Sequence, residues 1–215
     1  GPVLWLTLNR PEAMNSLTQE MVNDLDAALD AIGPGGDVRT IVVAGNGQAF
    51  CAGADLKAAR DRAGEDNPNS AAEFVAKVSR LIDKLEVTPV PVIVAVNGLA
   101  LAGGLEIVLA ADLVLASKSS RFGDAHANFG MLPGAGASIR LPRKIGLNRA
   151  KYLAFTGEFL PAAMLADWGL VNEIVPDDEL HIRAQQLAQE VSEKSPLALS
   201  RMKELMNNAL EQSQN

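Results

Sequence analysis

Apolar residues recur along the chain in two rhythms. Short, nearly continuous apolar runs alternate with stretches in which apolar side chains return every third or fourth position. Val3 to Leu8 is the first run and reads as a strand, ended by Asn9-Arg10-Pro11. A helix follows, capped by Thr18 or Ser16, with Leu17, Met21, Leu25, Ala28, Leu29 and Ile32 on one face. Gly33-Pro34-Gly35-Gly36 stops it. Arg39 to Ala44 is a second strand, turned by Gly45-Asn46-Gly47. The polar, breaker-rich stretch from Gly64 to Asn69 predicts a loop. Ser70 with Glu73 then predicts a capping box for a helix that turns Phe74, Val78, Leu81, Ile82 and Leu85 inward.

The densest apolar stretch runs from Val87 to Asp112, and the chain is organised around it. Val90 to Val96 is short enough for a buried strand, and Asn97-Gly98 breaks it. Gly103-Gly104 open a helical run through Leu105, Ile107, Val108, Leu109, Ala110 and Ala111. Backbone N–H groups at such a helix start are unpaired, which makes a ready site for fixed or developing negative charge. Glu106 stands in that first turn among apolar neighbours. It is either a partner of the helix dipole or a catalytic group. A buried acid costs more than the dipole returns unless it has partners, which favours function.

Beyond it, Leu113 to Ala116 reads as a strand and Ser120 to Gly136 as irregular chain. Short helical runs are expected near Arg149–Phe155 and Pro161–Asp167, and a short strand over Leu170 to Val175. Pro176 opens a long helix carrying Leu180, Ala184, Leu187, Ala188 and Val191, and Pro196 suits the first turn of a last one. Strands alternate with helices through the first two-thirds, so the class is α/β, with a mostly helical final third.

The bulk composition narrows the function. With 215 residues, 48% hydrophobic and 21% charged, the chain suits one globular domain, or one domain plus an extension. A net charge of −7 argues against general nucleic-acid or membrane-surface binding. No apolar run reaches the length of a membrane span, and no signal peptide is visible. Cys51 is alone, which fits a reducing, cytoplasmic setting. The chain starts at Gly1-Pro2 directly in a strand pattern and ends in Gln212-Ser213-Gln214-Asn215, so both natural ends are expected to lie outside this sequence.

Common motifs fail in turn. After Gly45-Asn46-Gly47 the third glycine of a dinucleotide fingerprint is Phe50, and no helix opens there. Gly134-Ala135-Gly136 has no strand before it. A nucleophile elbow and a phosphate loop are absent. His126 and His181 lie far apart and do not look like a metal set, so no metal is expected. Gln48 to Lys57 crowds small residues around Gly53 after a strand. That is either a tight buried turn or a place where a ligand approaches the backbone. His126 follows Asp124 by two positions in a loop, where a lone histidine is more often structural than catalytic.

Taken together, Asn9-Arg10-Pro11 with Met14–Leu17, then Phe50–Lys57, Pro91–Asp112, Phe122–Arg140 and Gly169–Pro176 resemble the crotonase, or enoyl-CoA hydratase/isomerase, superfamily. The motifs stand in the family's order and span most of the chain. The resemblance implies a spiral of ββα turns over residues 1–175 and a helical C-terminal region over 176–215, with the closing helices beyond Asn215. It also implies a homotrimer or homohexamer that acts on acyl-CoA thioesters. No cofactor is implied, since coenzyme A is part of the substrate.

By motif, the backbone N–H groups of Ala54 and Gly103 would form an oxyanion hole for the thioester. Substrate contacts would fall at Ala52, Asp55, Leu56, Lys57, Leu99, Gly104 and Gly134. The family's hydratases carry two glutamates. Glu106 matches the first, and His126 stands where the second would be. A histidine also moves protons near neutral pH. The resemblance therefore implies an enoyl-CoA hydratase, with an isomerase or acyl-CoA hydrolase as the alternative. A non-catalytic binding member, RNA binding included, is a third class, which the acidic charge opposes.

Overall fold

The computed structural model describes residues 1–33, 35–63 and 69–209. The expected loop from Gly64 falls outside these residues except for Asn69, and so do Pro34 and the polar end 212–215. The elements alternate as the apolar rhythm predicts. The first half holds β1 (Val3–Leu8), α1 (Gln19–Asp30), β2 (Thr40–Gly45), β3 (Ala49–Cys51), α2 (Leu56–Ala63) and α3 (Ser70–Val87). Then come β4 (Val92–Val96), β5 (Leu99–Leu101), α4 (Gly103–Ala110), β6 (Leu113–Ser117) and β7 (Arg121–Gly123). The remainder is α5 (Ala137–Ile145), α6 (Leu147–Thr156), β8 (Leu160–Pro161), α7 (Ala162–Asp167), β9 (Glu173–Val175), α8 (Leu180–Ser192) and α9 (Pro196–Asn207).

Five strands form a parallel sheet in the order β1-β2-β4-β6-β9. Every residue of β2 and β4 is buried, which is why both read as unbroken apolar runs rather than alternating ones. Their side chains still divide by parity. Ile41, Val43, Val92 and Val94 join the larger core cluster with Leu29 of α1, Leu81 of α3 and Ile107 of α4. Val42, Ala44, Ile93 and Ala95 join the smaller cluster, closed by Leu180, Ala184 and Ala188 of α8. Helix α8 is therefore a lid on the sheet's second face.

The second strand of each ββα turn builds a second sheet, β3-β5-β7-β8. Its first three strands are parallel and three residues long, and each follows the long strand that precedes it in the chain. Each turn of the spiral thus adds one strand to each sheet before its helix. Because β3, β5 and β7 run parallel, their C-terminal ends share one edge. All the sequence motifs with chemistry lie just past that edge.

Two local expectations change and one open alternative is resolved. Ser70 is the first helical residue of α3, and the cap position falls to Asn69, so Ser70 and Glu73 do not make the expected capping box. Thr18 rather than Ser16 caps α1, its hydroxyl accepting from the Met21 N–H at 3.4 Å. Helix α5 occupies chain in which no helix was expected. Its buried positions are Ala137, Arg140, Leu141 and Ile145, a helical spacing hidden by an arginine in the inward stripe.

Candidate active site

Strand β3 leads into Gly53 and Ala54. Leu17 bridges this segment, its N–H donating to the Gly53 carbonyl at 2.8 Å and its carbonyl accepting from Asp55 N–H at 2.9 Å. Successive backbone groups of an extended chain point to opposite sides, so this bridge turns the intervening Ala54 N–H away from Leu17. Strand β5 leads into Ala102, held at φ 48°, ψ −117°, and then into α4. A non-glycine residue at such angles costs about 1–3 kcal/mol and persists only where its surroundings over-determine it. Here the Ala102 N–H donates to the Gly123 carbonyl and the Ala102 carbonyl accepts from Glu106 N–H, both at 3.0 Å.

The two turns meet. A Cβ built on Gly103 would lie 3.4 Å from the Ala54 nitrogen, and one on Gly53 would lie 3.2 Å from the Gly103 nitrogen. Neither N–H has a protein acceptor among the described residues. Two free donors, side by side and flanked by residues too small to cover them, suit a carbonyl oxygen that gains negative charge.

Glu106 is 3% exposed. Its carboxylate does not serve its own helix terminus: Oε1 accepts from Ala135 N–H at 2.8 Å and Ala137 N–H at 3.1 Å. No protein group among the described residues engages Oε2, and Glu106 lines a cavity of ≈580 Å³. Burial pushes the Glu106 carboxyl above its ordinary value, against the opposing pull of the two backbone N–H groups and His126.

His126 reaches the same cavity from the third strand end. It follows Ala125, at φ 58°, just after β7. Its Nδ1 lies 3.1 Å from Oδ1 of the buried Asp124, which leaves Nε2 as the ring nitrogen without a protein partner among the described residues. Burial alone would lower the imidazole; the hydrogen bond and charge of Asp124, with the charge of Glu106, outweigh it and raise the pKa overall. His181 is far from this site, stacked on Trp5 with ring centroids 5.1 Å apart.

The other expected contact residues divide. Ala52, Ala54, Leu56, Lys57, Gly103 and Gly134 line the cavity. Leu99, Asp55 and Gly104 do not. Asp55 Oδ2 instead pairs with Arg10 Nη1 at 2.7 Å while Oδ1 accepts from Ala58 N–H, so it ties the opening loop to the start of α2. Gly104 is an internal packing position, where a Cβ would strike the Cys51 carbonyl. Much of the apolar wall escaped sequence reasoning: Val75 and Val78 of α3, Leu101, Phe129, Leu132 and Phe159. These come from separate segments, and no local pattern marks them as neighbours. The donors from Ala135 and Ala137 were equally hidden, being backbone groups.

The comparisons with known proteins agree with this architecture. Residues 1–215 match the family model described as enoyl-CoA hydratase/isomerase. The short-chain-enoyl-CoA hydratase of Clostridium acetobutylicum is 33% identical over 98% of this chain and 80% of its own length. The 1,2-epoxyphenylacetyl-CoA isomerase of Escherichia coli is 36% identical over 96% of this chain and 79% of its own. The crystal structure of enoyl-CoA hydratase from Bacillus anthracis is similar with a TM-score of 0.92 at 36% identity, covering 99% of this chain and 81% of that one. Whole-chain family match, sequence identity and fold lead to one conclusion: the chain belongs to the enoyl-CoA hydratase/isomerase, or crotonase, family.

Proposed function

We propose that the chain is a hydratase-type lyase that adds water across the double bond of a 2-enoyl-CoA thioester. One observation carries the reading. A carboxylate with one oxygen tethered and the other free shares a cavity with an imidazole and with two adjacent, unpartnered N–H groups.

In this reading the thioester oxygen lies between the N–H groups of Ala54 and Gly103. Glu106 Oε2 takes a proton from water as the water oxygen bonds to C3. The double-bond electrons move toward C1 and leave an enolate whose oxygen the two donors hold. One such donor contributes about 3–4 kcal/mol in a transition state. The protonated His126 then gives its Nε2 proton to C2, and Glu106 returns its proton through solvent. Asp124 holds the ring and favours its protonated form. The reaction calls for no cofactor or metal beyond the coenzyme A of the substrate.

We read the working form as a homotrimer or homohexamer in the cytoplasm, without nucleic-acid or membrane partners. The buried, lone Cys51 and the net charge of −7 support that setting. Among the described residues, no helix is long and apolar enough to cross a membrane.

The test is turnover of crotonyl-CoA, followed as loss of the enoyl-thioester absorbance with 3-hydroxyacyl-CoA as product. Conversion of a 3-enoyl-CoA to the 2-enoyl isomer without hydration would instead assign an isomerase, with His126 moving the proton. Release of free coenzyme A thiol would assign a hydrolase.

A further inference from the structure

The loop that tethers Glu106 is itself held by a buried arginine. Arg140 of α5 is 8% exposed, and its Nη1 donates to the Ala135 carbonyl at 2.9 Å. Ala135 is the residue whose N–H donates to Glu106 Oε1. The rest of the guanidinium forks onto α3. Nη2 reaches Asp83 Oδ1 at 2.7 Å and Glu86 Oε2 at 2.6 Å, and Nε reaches Glu86 Oε2 at 3.0 Å. Neutralising two acids on a helix surface requires neither burial nor a carbonyl partner. The carbonyl contact has its own requirement as well. Gly136, at φ 100°, stands between the two residues that donate to Glu106, and a Cβ there would fall on Arg140 Nη1.

We propose that Arg140 is a positioning residue for the reaction. Through the Ala135 carbonyl it fixes the peptides whose N–H groups aim the Glu106 carboxylate, and it braces them against α3. The role assigned to Glu106 rests on the hydration reading; the geometry does not. Without Arg140, the peptide between Ala135 and Gly136 is free to rotate, and both N–H groups lose their aim. Those two bonds oppose the effect of burial on Glu106, so their loss moves its ionisation to higher pH. Among the described residues, the other charged groups at Glu106 are His126 and Asp124, with Lys57 on the same cavity, and Arg140 bonds to none of them. Arg140 also borders a second cavity, of ≈510 Å³, beside Glu86, Lys144 and Lys203. Truncation at position 140 therefore opens a slot that a small cation can enter from solvent.

The experiment compares R140A and R140K with the unaltered protein. Glu106 ionisation is read from its ¹³Cδ resonance, assigned by its disappearance in E106Q, and needs no turnover. In R140A the titration midpoint should move to higher pH, and kcat should fall roughly 10- to 100-fold with KM little changed. Millimolar guanidinium ion, filling the vacated slot, should restore part of the lost kcat where sodium does not. R140K offers one ammonium that reaches either the carbonyl or the acids but not the whole fork. It should show a smaller shift in the same direction, and it decides the matter if R140A does not fold. A folded variant with an unchanged Glu106 midpoint and unchanged kcat would overturn the proposal. If the unaltered protein hydrates no enoyl-CoA, the hydratase reading fails while the titration still decides the role of Arg140.

Discussion

His126 is the residue on which the chemistry turns. A carboxylate in its place would be ionised over most of the neutral range; an imidazole raised by Asp124 keeps its proton to higher pH than a free imidazole does. The two groups therefore give a bell-shaped rate profile with assignable limbs. If Glu106 is the base of the proposed hydration, activity should fall as pH drops through its raised pKa. If His126 is its acid, activity should fall as pH rises through the raised pKa of the imidazole. His126→Ala should lower turnover by roughly 10²–10⁴-fold and abolish the alkaline limb while keeping the acid one. Near-normal turnover with both limbs intact would remove the histidine from the mechanism. Both residues were legible in the sequence, because each is a polar side chain beside glycine-rich turns. The groups that orient Glu106 were not, because the N–H donors of Ala135 and Ala137 leave no side-chain signature.

Among the elements, legibility followed length. The long strands and the helices α1, α3 and α8 announce themselves, since burial repeats over enough positions to show a period. Strands β3, β5 and β7 offer three residues each, too few for any rhythm, yet their aligned ends are what bring Ala54, Gly103 and His126 together. Helix α5 hid for another reason: its inward stripe includes Arg140 and its interior holds Pro142. Helix α8 provides the test of separation between fold and site. It covers the sheet face formed by Val42, Ala44, Ile93 and Ala95, and none of its residues lines the active-site cavity. Leu180→Ala should therefore lower the unfolding free energy by about 2–5 kcal/mol in a denaturant titration. The turnover of the folded fraction should stay as it was. A loss of turnover without a loss of stability would show that α8 reaches the site by a route other than packing.

At the scale of the whole molecule, apolar surface is left where the cavity opens. Phe129 is 73% exposed, Leu132 88% and Phe155 77%. The turn from His126 to Phe129 packs on α6, the helix that carries Phe155. Phe129 and Leu132 also line the cavity. Scattered apolar residues on a surface are ordinary, but a contiguous patch beside a site favours a covering partner. A second copy of the chain seated here would remove these side chains from water and back the apolar wall of the cavity. Assembly would then support substrate binding directly. Light scattering at micromolar concentration should give three or six times the 22.7 kDa chain mass. Phe155→Glu places a charge on the patch without touching the cavity lining, so it should shift the mass toward the monomer and raise KM for the acyl-CoA. A monomer in the unaltered protein would exclude the assembly. A Phe155→Glu protein with unchanged mass and KM would show that the contact between copies uses another face.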